Sequence, residues 1–147
     1  MEPIRNLSTA ARLAALYARL ALGSAFLSAV AARFGLWDAR PRPFADFVGY
    51  TGEVLSFLPP PAIPFFAVAA TVAETTLGIL LIAGIGRRWT ASASAVLLVV
   101  FAISMTISFG VKSPLDASVF SASAAALLLS LVERGSPCPA GGRPGRG

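Results

Sequence analysis

Two ionisable side chains interrupt runs that are otherwise apolar. Glu74 breaks the stretch Pro64 to Ile85 (PFFAVAATVAETTLGILLIAGI), and Arg19 breaks the stretch Leu13 to Leu36. About 20 apolar residues cross the ~30 Å hydrocarbon core of a bilayer, and both runs qualify. A charge at that depth is costly, so it must face protein or a water-filled cavity. Ala15 and Gly23 lie one turn either side of Arg19, and Ala70 and Gly78 one turn either side of Glu74. Each charge therefore shares a face with small residues that admit a close helical neighbour. At 1.5 Å per residue, Arg19 lies roughly 10 Å deep and Glu74 roughly 16 Å deep from the same side. An arginine can bridge that offset, so the spacing predicts one buried ion pair, Arg19 with Glu74, between the first two spans. Two roles remain open for it. It could fix helix register, or it could form the core of a ligand or proton site. In the second case Arg19 would hydrogen-bond a carbonyl, Glu74 would relay a proton, and Phe65 and Phe66 would line the pocket.

Other chemistry is closed by composition. The 147 residues include no histidine and a single cysteine, Cys138, and Met105 is the only methionine besides Met1. Histidine metal sites, bis-histidine haem and histidine acid–base catalysis are excluded, and a lone thiol makes no dithiol pair. The sequence predicts no metal site and no cofactor held by this chain alone, which argues against a self-sufficient enzyme.

The elements that must position the charges follow from hydropathy. The chain is 56% hydrophobic and 13% charged, with mean hydropathy +0.75. A soluble domain carries ~25% charged residues, so the fold class expected is an all-α, integral membrane four-helix bundle. The spans are residues 13–36, 64–85, 89–111 and 115–132, within a membrane domain 13–133. A polar lead, 1–12, precedes it, and a Pro/Gly/Arg-rich tail, 134–147, follows and is expected to be disordered. Ala29-Val30-Ala31 also resembles a signal-peptide cleavage site, although Arg19 interrupts the segment that should then be most apolar. Between the first two spans, Phe44, Phe47, Val48, Thr51, Val54, Leu55 and Leu58 recur at helical spacing. They predict a short amphipathic helix, lying in the membrane interface or folded back over the bundle mouth. An ordinary packed loop helix is the alternative.

The net charge of +5 comes from arginines at the ends of apolar runs, without stacking aromatics in a polar setting. They set topology and give no reason to expect nucleic acid as a partner. Arg5, Arg12, Arg87, Arg88, Arg134, Arg143 and Arg146 fall on one side, and Arg33, Arg40, Arg42 and Lys112 on the other. The bias predicts both termini in the cytoplasm, and the inner membrane if the source is bacterial. Arg87 and Arg88 are read as topology anchors. Ser113-Pro114-Leu115-Asp116 is read as the cap of the fourth span, with Ser113 as N-cap and Asp116 at the third position. The serines of the third span (Ser92, Ser94, Ser104, Ser108) are read as helix contacts rather than a polar cavity lining.

Arg19 with Gly23, Glu74 with Gly78, and the turn Gly84-Ile85-Gly86-Arg87-Arg88 together resemble the DoxX family. The segment from Ser113 to Leu129 (SPLDASVFSASAAALLL) is similar to the fourth helix of DoxX-like proteins. The resemblance covers roughly residues 12–132. It implies a compact four-helix membrane bundle with Arg19, Glu74 and Arg88 at typical polar positions. Some members are small subunits of quinone-linked or thiol-linked oxidoreductase assemblies. The function expected from it is a non-catalytic subunit or scaffold in the lipid bilayer, with a membrane or soluble oxidoreductase as partner and a homo-oligomer left open. A quinone- or lipid-binding site at Arg19, Glu74, Gly23 and Gly78 is the alternative, with quinone as the ligand that diffuses in. A small transporter is the second alternative, disfavoured because four spans without an inverted repeat offer little for alternating access.

Overall fold

The computed structural model describes residues 9–37 and 43–134. The 1–8 part of the lead, Arg5, Arg40, Arg42, and the tail beyond residue 134 with Cys138, Arg143 and Arg146 lie outside the described residues. Those described are helical apart from turns. They form α1 (Thr9–Arg33), α2 (Pro43–Val54), a 3-10 turn (Pro60–Ala62), α3 (Ile63–Ala83), α4 (Arg87–Phe109), α5 (Lys112–Asp116) and α6 (Val119–Arg134).

Local chemistry sets the boundaries. α1 ends because Gly35 takes a left-handed φ of 73°, letting Leu36 N–H bond Ala31 O and Gly35 N–H bond Ala32 O. α3 starts after the 3-10 turn with Pro64 in its first turn, where the missing N–H costs nothing. It stops at Gly84 (φ 71°) with the same paired closure, Ile85 N–H to Leu80 O and Gly84 N–H to Leu81 O. Gly86, also left-handed, restarts the chain as α4.

Three stretches are long and apolar enough to cross a membrane: Thr9–Arg33, Pro60–Ala83 and Arg87–Phe109. The fourth expected span is divided. A five-residue α5 is followed by a break at Ala117 and Ser118, the latter at φ 56°, and then by the apolar but shorter α6. The Ser113/Asp116 cap is corrected accordingly. The residue before α5 is Val111, no side chain caps it, and Asp116 pairs with Lys112 instead of the Ser113 amide. Pro114 is buried in the first turn of α5, where its missing N–H costs nothing, and the helix ends at Asp116.

α1, α3, α4 and α6 pack as a ring, each touching the next and α6 returning to α1. The most extensive contacts are α4 with α6 and α1 with α3. Small residues make them so: Ala91, Ser94, Ala95 and Ala102 on α4 and Ser123, Ala126 and Ser130 on α6 are all buried. Leu22, Phe26, Leu81, Leu98 and Leu129 fill the space between the pairs. Buried hydroxyls bond within their own helix, Ser94 to Thr90 O and Ser130 to Leu127 O, so they enter the core satisfied. The outer faces (Val96, Val100, Ile103 and Ile107 on α4, for example) are exposed and apolar. α2 is present where the amphipathic stripe predicted a helix. It packs against the ends of α1, α3 and α4, with Tyr50 stacked on Phe109 and Ser108 Oγ donating to Val54 O.

Candidate functional site

The crossing of α1 and α3 sets the register for every polar group between them. A Cβ on Gly23 would lie 2.9 Å from Gly78 O, and one on Gly78 would lie 3.2 Å from Gly23 O. The two glycines face each other, and the antiparallel backbones touch. Counting outward from that contact, Glu74 is level with Leu27, and Arg19 with Ile82. Arg19 and Glu74 are thus eight residues apart along the axis, about 12 Å at helical rise.

The expected Arg19–Glu74 pair is therefore corrected. Helical side chains lean toward the N-terminus of their own helix. Glu74 leans away from Arg19 and toward the start of α3. Arg33, at the far end of α1, leans back to meet it. Arg33 Nη2 lies 2.8 Å from both carboxylate oxygens, donating a hydrogen bond to Oε1 and contacting Oε2 by charge alone. Arg33 Nη1 donates to Thr71 Oγ1 at 3.1 Å, and Thr71 donates onward to Ala67 O. The Phe47 ring of α2 covers the guanidinium, 3.7 Å from its carbon. The side chains are 11% and 3% exposed for Arg33 and Glu74.

Arg19 is used at the opposite end. Its Nε donates to Leu81 O at 3.1 Å, and Nη1 lies 3.7 Å from Glu133 Oε1 at the end of α6. The guanidinium lies over Gly84, where any Cβ would run into it. Thus Gly84 both closes α3 and admits Arg19, which ties the middle of α1 to the ends of α3 and α6. Glu133 Oε2 is buried without a hydrogen-bond donor.

Of the residues read from the sequence, Glu74, Gly23 and Gly78 meet at one seam, while Arg19 leaves it. Phe65 and Phe66 pack edge-to-face on each other and are exposed, away from either pair. Arg87 and Arg88 are exposed at the start of α4. Arg33, Thr71, Phe47 and Glu133 were missed. The signal that finds Arg33 is the glycine register together with the lean of side chains: a partner for Glu74 must come from the C-terminal side of Leu27. At the α2 mouth, an open apolar cleft of about 240 Å³ is lined by Phe34, Phe44, Val68, Thr71 and Val72. There Phe34 stacks on Phe44. Nearby on α2, burial and the Glu53 carboxylate raise the pKa of the Tyr50 phenol. No group of three or more metal-ligating side chains occurs among the described residues.

With this geometry in place, comparison with known proteins gives one finding. The family model DoxX matches residues 14–108, which contain both glycines, Arg19, Arg33 and Glu74. No curated protein and no solved structure matches the chain.

Proposed function

Because the chain belongs to the DoxX family, we propose that it acts as a non-catalytic multi-pass membrane subunit. It would be a helical scaffold that seats an oxidoreductase or another membrane partner. The observation behind this reading is that the two largely buried guanidinium groups of α1, those of Arg19 and Arg33, are committed within the chain, while Arg12 is exposed near its start. Arg33 is held by Glu74 and Thr71 under Phe47, and Arg19 by Leu81 O and Glu133. A group that relays protons or grips a substrate must exchange partners; these two serve helix register. In this reading the α5–α6 segment is the fourth span, α2 lies at the membrane interface over one mouth, and the end bearing Arg12, Arg87 and Arg88 is cytoplasmic. Both termini then share the cytoplasmic side. Electrons in such an assembly travel through the partner or a diffusing quinone.

A second reading is favoured by the cleft beside the Arg33–Glu74 pair. Its walls are apolar, and the Thr71 hydroxyl beneath them is already engaged by Arg33 and the Ala67 carbonyl, so the cleft suits the hydrocarbon part of a lipid-soluble amphiphile, quinone or lipid. One experiment separates the two. The protein is extracted in mild detergent, and everything retained is identified by mass spectrometry, alongside R33Q/E74Q. An oxidoreductase retained in stoichiometric amount by both forms supports the scaffold. A small molecule retained only by the unmodified protein moves the function to the pair. Retention of neither counts against both readings.

A further inference from the structure

Charge is divided unevenly along the helix axis. Toward the end where α1 begins and α4 begins lie Arg12, Arg19, Arg87 and Arg88, against the single acid Glu133 among the described residues. Toward the α2 end lie Arg33 and Lys112 against Asp46, Glu53, Glu74 and Asp116. The buried ion pairs sharpen this contrast. Glu133 is only 6% exposed and is turned to Arg19, with the Arg87 charge also within its reach, so one buried acid is shared between two arginines and offers little countercharge at the surface. Arg12, Arg87 and Arg88 are all exposed, and none makes an ion pair with a described residue. On the α2 side Arg33 is buried against Glu74 and the exposed Lys112 is paired with Asp116, while Asp46 and Glu53 stay exposed.

The basic end is also built rigidly. Gly84 and Gly86, both left-handed, fold the turn before Arg87. Thr90 Oγ1 donates back to Ile85 O at 2.8 Å and Thr90 N–H to Gly86 O at 3.0 Å. Arg88 lies over the Trp89 ring at 5.2 Å. Trp89 is 73% exposed and Tyr17 75%, and rings of this kind settle at headgroup depth in a bilayer. A cation beside an exposed indole, at the end of a membrane-crossing helix, faces lipid phosphate.

We propose that the Arg87–Arg88–Trp89 turn, with Arg12, is a binding surface for anionic phospholipid headgroups. The guanidinium groups take the phosphate and Trp89 covers the glycerol region. Selectivity for anionic over zwitterionic lipid comes from the missing countercharge, because a zwitterionic headgroup brings its own cation to a surface that already has an excess.

The test uses the full chain reconstituted in vesicles of equal phosphatidylglycerol and phosphatidylcholine. It is then extracted in mild detergent, and the lipids it retains are counted by native mass spectrometry. Phosphatidylglycerol should be enriched. With each surface arginine contributing about fivefold, R87Q/R88Q should lower the enrichment about twenty-five-fold while helical circular dichroism is unchanged. R87K/R88K should keep most of it, and K112Q, at the other end, all of it. Excess inorganic phosphate should leave the lipid in place; displacement by phosphate would assign a free-anion site and overturn the lipid proposal. Equal retention of the two lipids, or enrichment unaffected by R87Q/R88Q, would overturn it as well.

Discussion

Replacing Arg33 with glutamine strands the Glu74 carboxylate, which is 3% exposed and has no other cationic partner among the described residues. Removing one member of a buried pair costs about 3–5 kcal/mol, because the remaining charge is left desolvated. We expect about 3 kcal/mol for R33Q, since the new amide can still donate one hydrogen bond. E74Q should cost less, about 1–2 kcal/mol. Its amide oxygen can still accept from Arg33, which keeps the Thr71 bond and the Phe47 ring. The double variant R33Q/E74Q leaves two neutral amides facing each other and should sit about 1–2 kcal/mol below the parent. The resulting interaction energy is about 3 kcal/mol, at the upper end for contacting residues. The assay is SDS-driven unfolding in mixed micelles followed by far-ultraviolet circular dichroism, run as a double-mutant cycle. A parallel cycle on Arg19 and Glu74 is the control. With no shared partner and about 12 Å of axial separation, those two should be additive within about 0.5 kcal/mol. Additivity of Arg33 with Glu74, or strong coupling of Arg19 with Glu74, would refute the register on which the site rests.

Other perturbations probe neighbouring features by the same unfolding measurement. G23A pushes a methyl to within 2.9 Å of the Gly78 carbonyl; it should destabilise by about 1–3 kcal/mol through forced separation of α1 and α3. G84A places a Cβ in the Arg19 guanidinium at a left-handed φ of 71°, so it should cost at least as much, and R19A should recover part of the loss. F47A uncovers Arg33 and should lower stability by about 1–2 kcal/mol, while leaving the E74Q increment smaller than in the parent. S118G relieves the positive φ of 56° at an exposed position and should stabilise by about 0.5–1 kcal/mol.

Hydropathy made the all-helical membrane character legible, because apolar runs of span length with charges at their ends leave few alternatives. The amphipathic stripe of Phe44, Phe47 and Thr51 likewise revealed α2. The pairing of the charges was not legible in the same way. Depth from one end of each run put Arg19 within reach of Glu74, but reach depends on where the helices cross and which way side chains lean, and neither is a property of one run. Gly23 and Gly78 encoded the crossing. Once they are known to touch, Arg33 becomes the natural partner of Glu74, and Arg19 belongs to the ends of α3 and α6. The break at Ala117–Ser118 was hidden for a different reason. Ser113-Pro114 reads locally as a helix start, and nothing in Ala117-Ser118-Val119 is a strong stop signal. The break is made by the left-handed backbone of Ser118, at φ 56°, which a serine does not announce.

The two ion pairs also differ in when they can form. Arg33 and Glu74 are 41 residues apart in sequence, so at roughly 5–20 residues per second the arginine is synthesised about 2–8 s before its carboxylate. During that interval the C-terminal end of α1 carries an unneutralised cation, which water and headgroups at the helix end can solvate. Arg19, well inside α1, waits longer still for Glu133 at the other extreme of the helical region, but the Leu81 carbonyl becomes available to it once α3 is made. Arg33 can thus be solvated at its helix end until its counter-ion comes, whereas Arg19, inside the helix, depends on a carbonyl of α3 before Glu133 is made.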